Sequence, residues 1–244
     1  MKFELCAYSV EACRKAARLG IDRVELCASP AEGGTTPSLA AIEMASAIKG
    51  IDVSVMIRPR GGDFLYTDDE LQIMLRDIEH ARQAGATGVV FGILTADGKV
   101  DIERTRQLVD AAQGMETTFH RAVDMTEDYT QAISDIIEAG CTRILTSGGY
   151  DKAIDGINEI RGAVAAAAGR IEIMVGSGVS SENALLLTTT GANALHFSAK
   201  RTIPSNMEYR NPRISMGGND AIDEFALRTV DEEEVKAILK LVKR

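Results

Sequence analysis

An α/β fold closing into a single (β/α)8 TIM-like barrel is the architecture this sequence predicts, and three observations predict it. Short apolar runs alternate eight times with helical segments along the chain. The mean period over 244 residues is about 30, the size of one βα unit. A joint also recurs, at Gly20, Gly85, Gly140 and Gly191, in which a helix meets glycine and an apolar strand follows two or three residues later. Glycine suits the left-handed position just past a helix end. Eight parallel strands with right-handed connections close naturally into a barrel. The competing architecture is an open doubly wound sheet. Its first loop would need a glycine for a pyrophosphate, and Ala7-Tyr8-Ser9 has none.

The elements follow in order. Phe3 to Cys6 opens as a strand, and Ser9 caps a helix running to Leu19. Arg23 to Cys27 repeats the first strand closely, Val-Glu-Leu-Cys-Ala against Phe-Glu-Leu-Cys-Ala. Thr36-Pro37 begins a helix to about Ile48, with proline tolerated in the first turn. Val53 to Ile57 is strand three. Thr67 and the acids behind it cap a long helix ending at Gly85. Strand four is Gly88 to Phe91, a helix runs from Asp101 to about Ala112, and strand five is Glu116 to Phe119. A helix from Thr126 closes at Gly140, and strand six is Arg143 to Leu145. The helix around Asp155 to Ala168 precedes strand seven, Ile171 to Val175, and Ser180 caps the next helix. Strand eight is Ala194 to Phe197, and a last helix spans Glu232 to Val242. One domain, residues 1–244, accounts for all of this. Between strand eight and the last helix lies a long loop, residues 199–230, with prolines and Gly217-Gly218. A connection of that length is expected to be a rim lid or an oligomer contact.

Composition narrows the function classes. A formal net charge of -9 argues against nucleic-acid or anionic-membrane partners, which need basic surfaces. No apolar run reaches the roughly 20 residues of a membrane-spanning helix. The N-terminus has no basic region followed by a long apolar stretch, so no secretory signal is visible. Four cysteines in a chain this long do not form a secreted disulfide framework, which makes a reduced, cytoplasmic setting the expectation.

Barrel enzymes carry their reacting groups at the C-terminal strand ends. Here those ends hold Cys6, Glu25, Cys27, Arg58 and Arg60, then His120, Arg121 and Asp124, and later Ser147, Gly148, Ser177, Gly178 and His196. Strand alternation puts Glu4, Cys6, Glu25 and Cys27 on one face, opposite Phe3, Leu5, Val24 and Leu26. The apolar set must face the helices, so the Glu/Cys set points into the barrel. Buried carboxylates need partners, and Arg58 or His120 are the expected ones. In Arg58-Pro59-Arg60-Gly61-Gly62, two guanidinium forks stand beside glycines at a strand exit, an arrangement suited to an anion. Gly176-Ser177-Gly178, ahead of a helix, matches the place of a barrel phosphate site. Cys6 and Cys27 occupy matching positions on neighbouring strands, and a thiolate pair suits a soft ion such as Cu(I).

Several blocks resemble the CutC family, the so-called copper homeostasis proteins. They are Val24-Glu25-Leu26-Cys27, Met56 to Phe64, Thr118-Phe119-His120-Arg121-Ala122, Arg143 to Gly149, Gly176 to Val179 and Ser215 to Gly218. The resemblance runs nearly end to end. It implies a cytoplasmic TIM-like barrel, a homo-oligomer (dimer or tetramer), a role in copper tolerance or trafficking, and Cu(I) binding at Cys6 and Cys27. Two readings stay open. One is a copper-binding factor without turnover. The other is an enzyme for a small phosphorylated or carboxylated metabolite, with Arg58, Arg60 and the glycine loop holding the anion, Glu25 or His120 moving a proton, and Asp124 orienting a partner. A Schiff-base aldolase is disfavoured because no lysine ends strand six.

Overall fold

A computed structural model describes residues 1–211, 213–214 and 223–242. Eight parallel strands close in sequence order: β1 (Lys2–Ala7), β2 (Arg23–Leu26), β3 (Asp52–Met56), β4 (Gly88–Phe91), β5 (Glu116–Phe119), β6 (Arg143–Thr146), β7 (Glu172–Val175) and β8 (Ala194–Phe197). β8 returns to pair with β1, so the barrel has no free edge. Outside run α1 (Val10–Leu19), α2 (Leu39–Ser46), α3 (Asp68–Gln83), α4 (Ile102–Ala112), α5 (Tyr129–Ala139), α6 (Ile157–Ala167), α7 (Ala184–Thr188) and α8 (Glu232–Val242).

The alternation of each strand builds two separate interiors. Phe3, Leu5, Val24, Leu26, Val53, Val55, Val89 and Phe91 point outward and merge with the inward faces of the helices in one apolar core. Facing the barrel axis instead are Glu4, Arg23, Arg143 and small groups of apolar side chains such as Leu145 with Met174 and Ala194. The glycine joints hold their predicted backbone: Gly20, Gly85, Gly140 and Gly191 all have positive φ, between 73° and 92°. Thr67 and Glu70 form a reciprocal capping box that starts α3.

Some boundaries differ from expectation for identifiable reasons. α2 starts at Leu39 because Ser38, not Thr36, accepts the first free amide. α5 starts at Tyr129 rather than Thr126, since residues Arg121–Met125 wind as a 3₁₀ turn and Asp128 supplies the cap. Ser180 is not a helix cap: α7 begins at Ala184 and is only 5 residues long. The connection after β8 is not all loop. Its two ends pair as an antiparallel ribbon, β9 (Lys200–Pro204) with β10 (Ala226–Val230), while the expected Gly217-Gly218 turn lies outside the described residues.

The end of the barrel opposite the C-terminal mouth is plugged by charge. Arg23 bonds to Glu4 and lies 3.4 Å from Glu172. Arg143, also fully buried, bonds to Glu116, to Glu172 at 2.7 Å and to Thr118 Oγ1 at 2.8 Å. Five strands thus meet in one ion-pair network. Of the two buried carboxylates, Glu4 thus finds its partners in Arg23 and His196 and Glu25 faces His196, so neither pairs with Arg58 or His120 as expected. Removing one partner of a buried pair costs about 3–5 kcal/mol. Arg23→Met should therefore lower unfolding stability by that amount in urea titrations. A loss below about 1 kcal/mol, the scale of a surface pair, would mean the plug does not hold the barrel.

Candidate functional site

The C-terminal mouth opens into a cleft of about 700 Å³. Nine of the predicted site residues line it: Cys6, Glu25, Arg58, His120, Arg121, Asp124, Ser177, Gly178 and His196. The remaining five do not reach it. Cys27 is buried behind the floor, while Ser147, Gly148 and Gly176 stand behind the wall. Arg60 turns outward, where Glu70, Asp63 and the Leu65 carbonyl occupy its guanidinium. Arg58 and Arg60 are therefore not a paired clamp, because consecutive exits from a strand end send them to opposite sides of the loop.

The floor is a compact cluster from β1, β2 and β8. Register places Cys6 opposite Glu25, not opposite Cys27, so the two cysteines are offset rather than matched. They meet at Glu25 all the same: both sulfurs lie 3.4 Å from its Oε2. His196 joins from β8, with Nε2 at 3.8 Å from Glu25 and Nδ1 at 2.7 Å from Glu4 Oε1. Ligand atoms of Cys6, Glu25 and His196 all lie within 4.8 Å of one another. Met56 packs beside Cys27. A methyl on Gly34 would come 3.2 Å from the Cys27 sulfur, so glycine lets that loop close over the cluster.

Proton affinities in the floor follow from its burial. Desolvation pushes Glu25 up to about 8, since a carboxylate there has little water and His196 offsets only part of the loss. Burial would also raise Glu4, but His196 and Arg23 outweigh it and hold Glu4 at about 2. Burial alone would lower His196; Glu25, Cys6 and Glu4 drive it well above its usual value. Cys6 is lowered by the Cys27 thiol and by His196, whereas Cys27 is raised by Cys6 and by burial. The cluster thus favours the charged forms of His196 and Cys6 and resists charge on Cys27 and Glu25. Cys13 and Cys141 contrast with this: burial pushes them up to about 11 and about 12, which fits packing rather than chemistry.

The opposite wall is organised by His120, which ends β5. Its Nδ1 accepts the Ala122 amide at 3.1 Å, so the ring proton sits on Nε2. Phe64 stacks on the imidazole at 4.9 Å between centroids. A methyl on Gly92, the residue after β4, would lie 2.5 Å from the ring and 2.9 Å from the Ala122 Cβ, so glycine there lets the imidazole and its turn fit. Burial, then the Arg58 charge, push His120 down to about 3. Asp124 is fully engaged: it accepts from Thr146 Oγ1, Arg121 Nε and the Ser147 and Gly149 amides. It therefore ties the β6 exit to the 3₁₀ turn rather than orienting a catalytic base. The glycine loop after β7 lacks the helix expected behind it, because α7 starts six residues past Gly178 and is too short for an anion site. Ser177 nonetheless holds a left-handed φ of 78°, with its hydroxyl donating to the Asp151 carbonyl at 2.5 Å. Sequence reasoning missed Tyr8 and Phe64. Tyr8 carried a signal, since it continues the period-two face of Glu4 and Cys6; Phe64 sits in a loop and carried none.

His120 also fixes a pH response. The unfolded imidazole takes a proton below about 6.5, and the folded one refuses it until about 3. Stability from this residue is therefore complete above 6.5 and is lost as pH falls toward 3. His120→Asn, which keeps an acceptor for the Ala122 amide, should flatten that loss. Between pH 6.5 and 4.5, urea titrations should show wild type losing on the order of 1 kcal/mol per pH unit more than the variant. Parallel curves would refute the neutral assignment.

Comparisons with known proteins agree with this frame. The CutC family model matches residues 1–201. A CutC family protein of Bacteroides thetaiotaomicron is 46% identical over 244 residues, covering 99% of this chain and 98% of that one. The human copper homeostasis protein cutC homolog is 40% identical over 241 residues, covering 98% and 88%. The crystal structure of CutC from Streptococcus agalactiae superposes with a TM-score of 0.77 at 40% identity, over 81% of this chain and 98% of that one. An aldolase, QR15, reaches a TM-score of 0.62 at 19% identity over 81% and 89%, a likeness of fold alone. Among the described residues no helix is long and apolar enough to cross a membrane.

Proposed function

The chain belongs to the CutC family, and from that premise we propose that it serves copper homeostasis by binding Cu(I) through Cys6 and Cys27. The observation that carries this reading is the meeting of both sulfurs on Glu25 Oε2 at 3.4 Å. Cu(I) favours soft thiolate and thioether donors, and its ligands must shed their protons to bind. Cys6 is the thiol held lowest, so it is the first ligand. The incoming ion displaces the proton of Cys27, and Met56 packs beside that cysteine. Glu25 and His196 act as outer partners that set the charge of the cluster. They also supply oxygen and nitrogen, which a harder ion would prefer; the sulfur pair is what selects Cu(I) over it.

A Cu(I) competition titration under anaerobic, reducing conditions tests the reading. Wild type is expected to bind one ion. The Cys6→Ser, Cys27→Ser double variant should lose more than the roughly 10–100-fold that removing an outer partner costs, and Glu25→Gln should fall within that range. Equal affinity in wild type and the double variant would end the thiolate reading.

A further inference from the structure

Cys6 borders two cavities. Besides the cleft, it lines a side pocket of about 130 Å³ together with Tyr8, Ala12 of α1 and Pro30. The outer rim of this pocket is the β9–β10 ribbon, which contributes Lys200, Arg228 and Val230. Register sets Lys200 opposite Val230 and Thr202 opposite Arg228, so the two cations are diagonal neighbours on one face of the ribbon. Both are exposed, and neither side chain meets a carboxylate among the described residues. Glu11, an acid on the neighbouring α1, is already paired with Lys15 at 2.9 Å. In a chain of net charge -9, two unpaired cations at the rim of one small pocket make a local site for an anion. Size is a second constraint. The pocket falls below the roughly 300–1,000 Å³ of drug-sized ligand sites, so its occupant has only a few heavy atoms. The inner wall is the third. Cys6 is partly exposed whereas Cys27 is buried, so Cys6 is the sulfur an occupant reaches.

We propose that the side pocket admits a small anionic thiol, a thiol carboxylate, which carries Cu(I) to Cys6. Lys200 and Arg228 hold the carboxylate at the rim, and the carrier's sulfur points inward. The copper stays monovalent throughout. Its bond to the carrier sulfur breaks as the bond to Cys6 forms, and the departing thiolate takes up the proton that Cys6 gives up. Sulfur stands at both ends of the exchange, as a soft ion prefers. Delivery rests on the Cu(I) reading, whereas the access of small anions to Cys6 by this route does not. Arg228 borders the side pocket and not the cleft, so its charge separates the two routes.

The test compares each anion with a neutral probe of similar size. Reduced, copper-free protein is alkylated with iodoacetate or with iodoacetamide, and the rate at Cys6 is read by peptide mass spectrometry. Arg228→Glu should lower the iodoacetate-to-iodoacetamide rate ratio at Cys6 by about tenfold, the lower end of electrostatic steering. Arg201→Glu makes the same change of charge on the opposite face of the ribbon and should leave the ratio near wild type. In a second arm, stopped-flow ultraviolet absorption follows transfer of Cu(I) from its mercaptoacetate or its 2-mercaptoethanol complex. Arg228→Glu should lower that rate ratio as well. An unchanged alkylation ratio in Arg228→Glu, or an equal fall in Arg201→Glu, would overturn the pocket. A lowered alkylation ratio with an unchanged transfer ratio would overturn the delivery step. If wild type takes Cu(I) from neither complex, delivery fails along with the copper reading, and the alkylation arm, which needs no metal, still decides the pocket.

Discussion

Glu4 has no exposed surface, and its two oxygens face opposite tasks. One accepts from Arg23, joining the ion-pair plug that β2, β5, β6 and β7 share; the other accepts from His196 at the cleft floor. Without the plug, a carboxylate this deep would bind a proton or unfold its strand. His196 and the plug together hold Glu4 low, Glu25, Cys6 and Glu4 raise His196, and the Cys27 thiol with His196 lowers Cys6. The character of the site is therefore set one layer below it, by residues that no ligand touches.

Most of the architecture was legible because it rests on local rules. Strand alternation, glycine after helices and the capping box each act within a few residues, and β4, β5 and β8 begin and end near where the pattern places them. The shortfalls have a common cause in long-range choice. Whether Thr36 or Ser38 caps α2 depends on where the Arg58 loop crosses, since Thr36 is bound to the Arg58 amide and carbonyl. The ribbon of β9 and β10 joins segments some twenty residues apart, which no local period announces.

The candidate site shows the same division. That Cys6, Glu25, His120 and His196 face the barrel interior follows from period two and was readable. Their pairing was not. Arg58 looked like a free anion clamp, yet three backbone carbonyls hold it, and backbone groups leave no trace in side-chain identity. Cys6 and Cys27 looked matched by sequence repeat, but barrel stagger sets β1 against β2 so that Cys6 faces Glu25. Asp124 looked like a helper for catalysis, and its role as a strut appears only once the β6 exit is folded around it.

The contact between Gly92 and His120 reaches beyond this one molecule. Glycine is required there while the imidazole and the Ala122 methyl occupy the facing positions, and the imidazole fits only while glycine stands at 92. Drift at 92 alone is blocked, so the lineage can fill that position only together with, or after, a change in the side chains that face it. Relatives that carry a side chain at the first position should therefore carry a smaller residue at the second, a correlated history written into two adjacent strand ends.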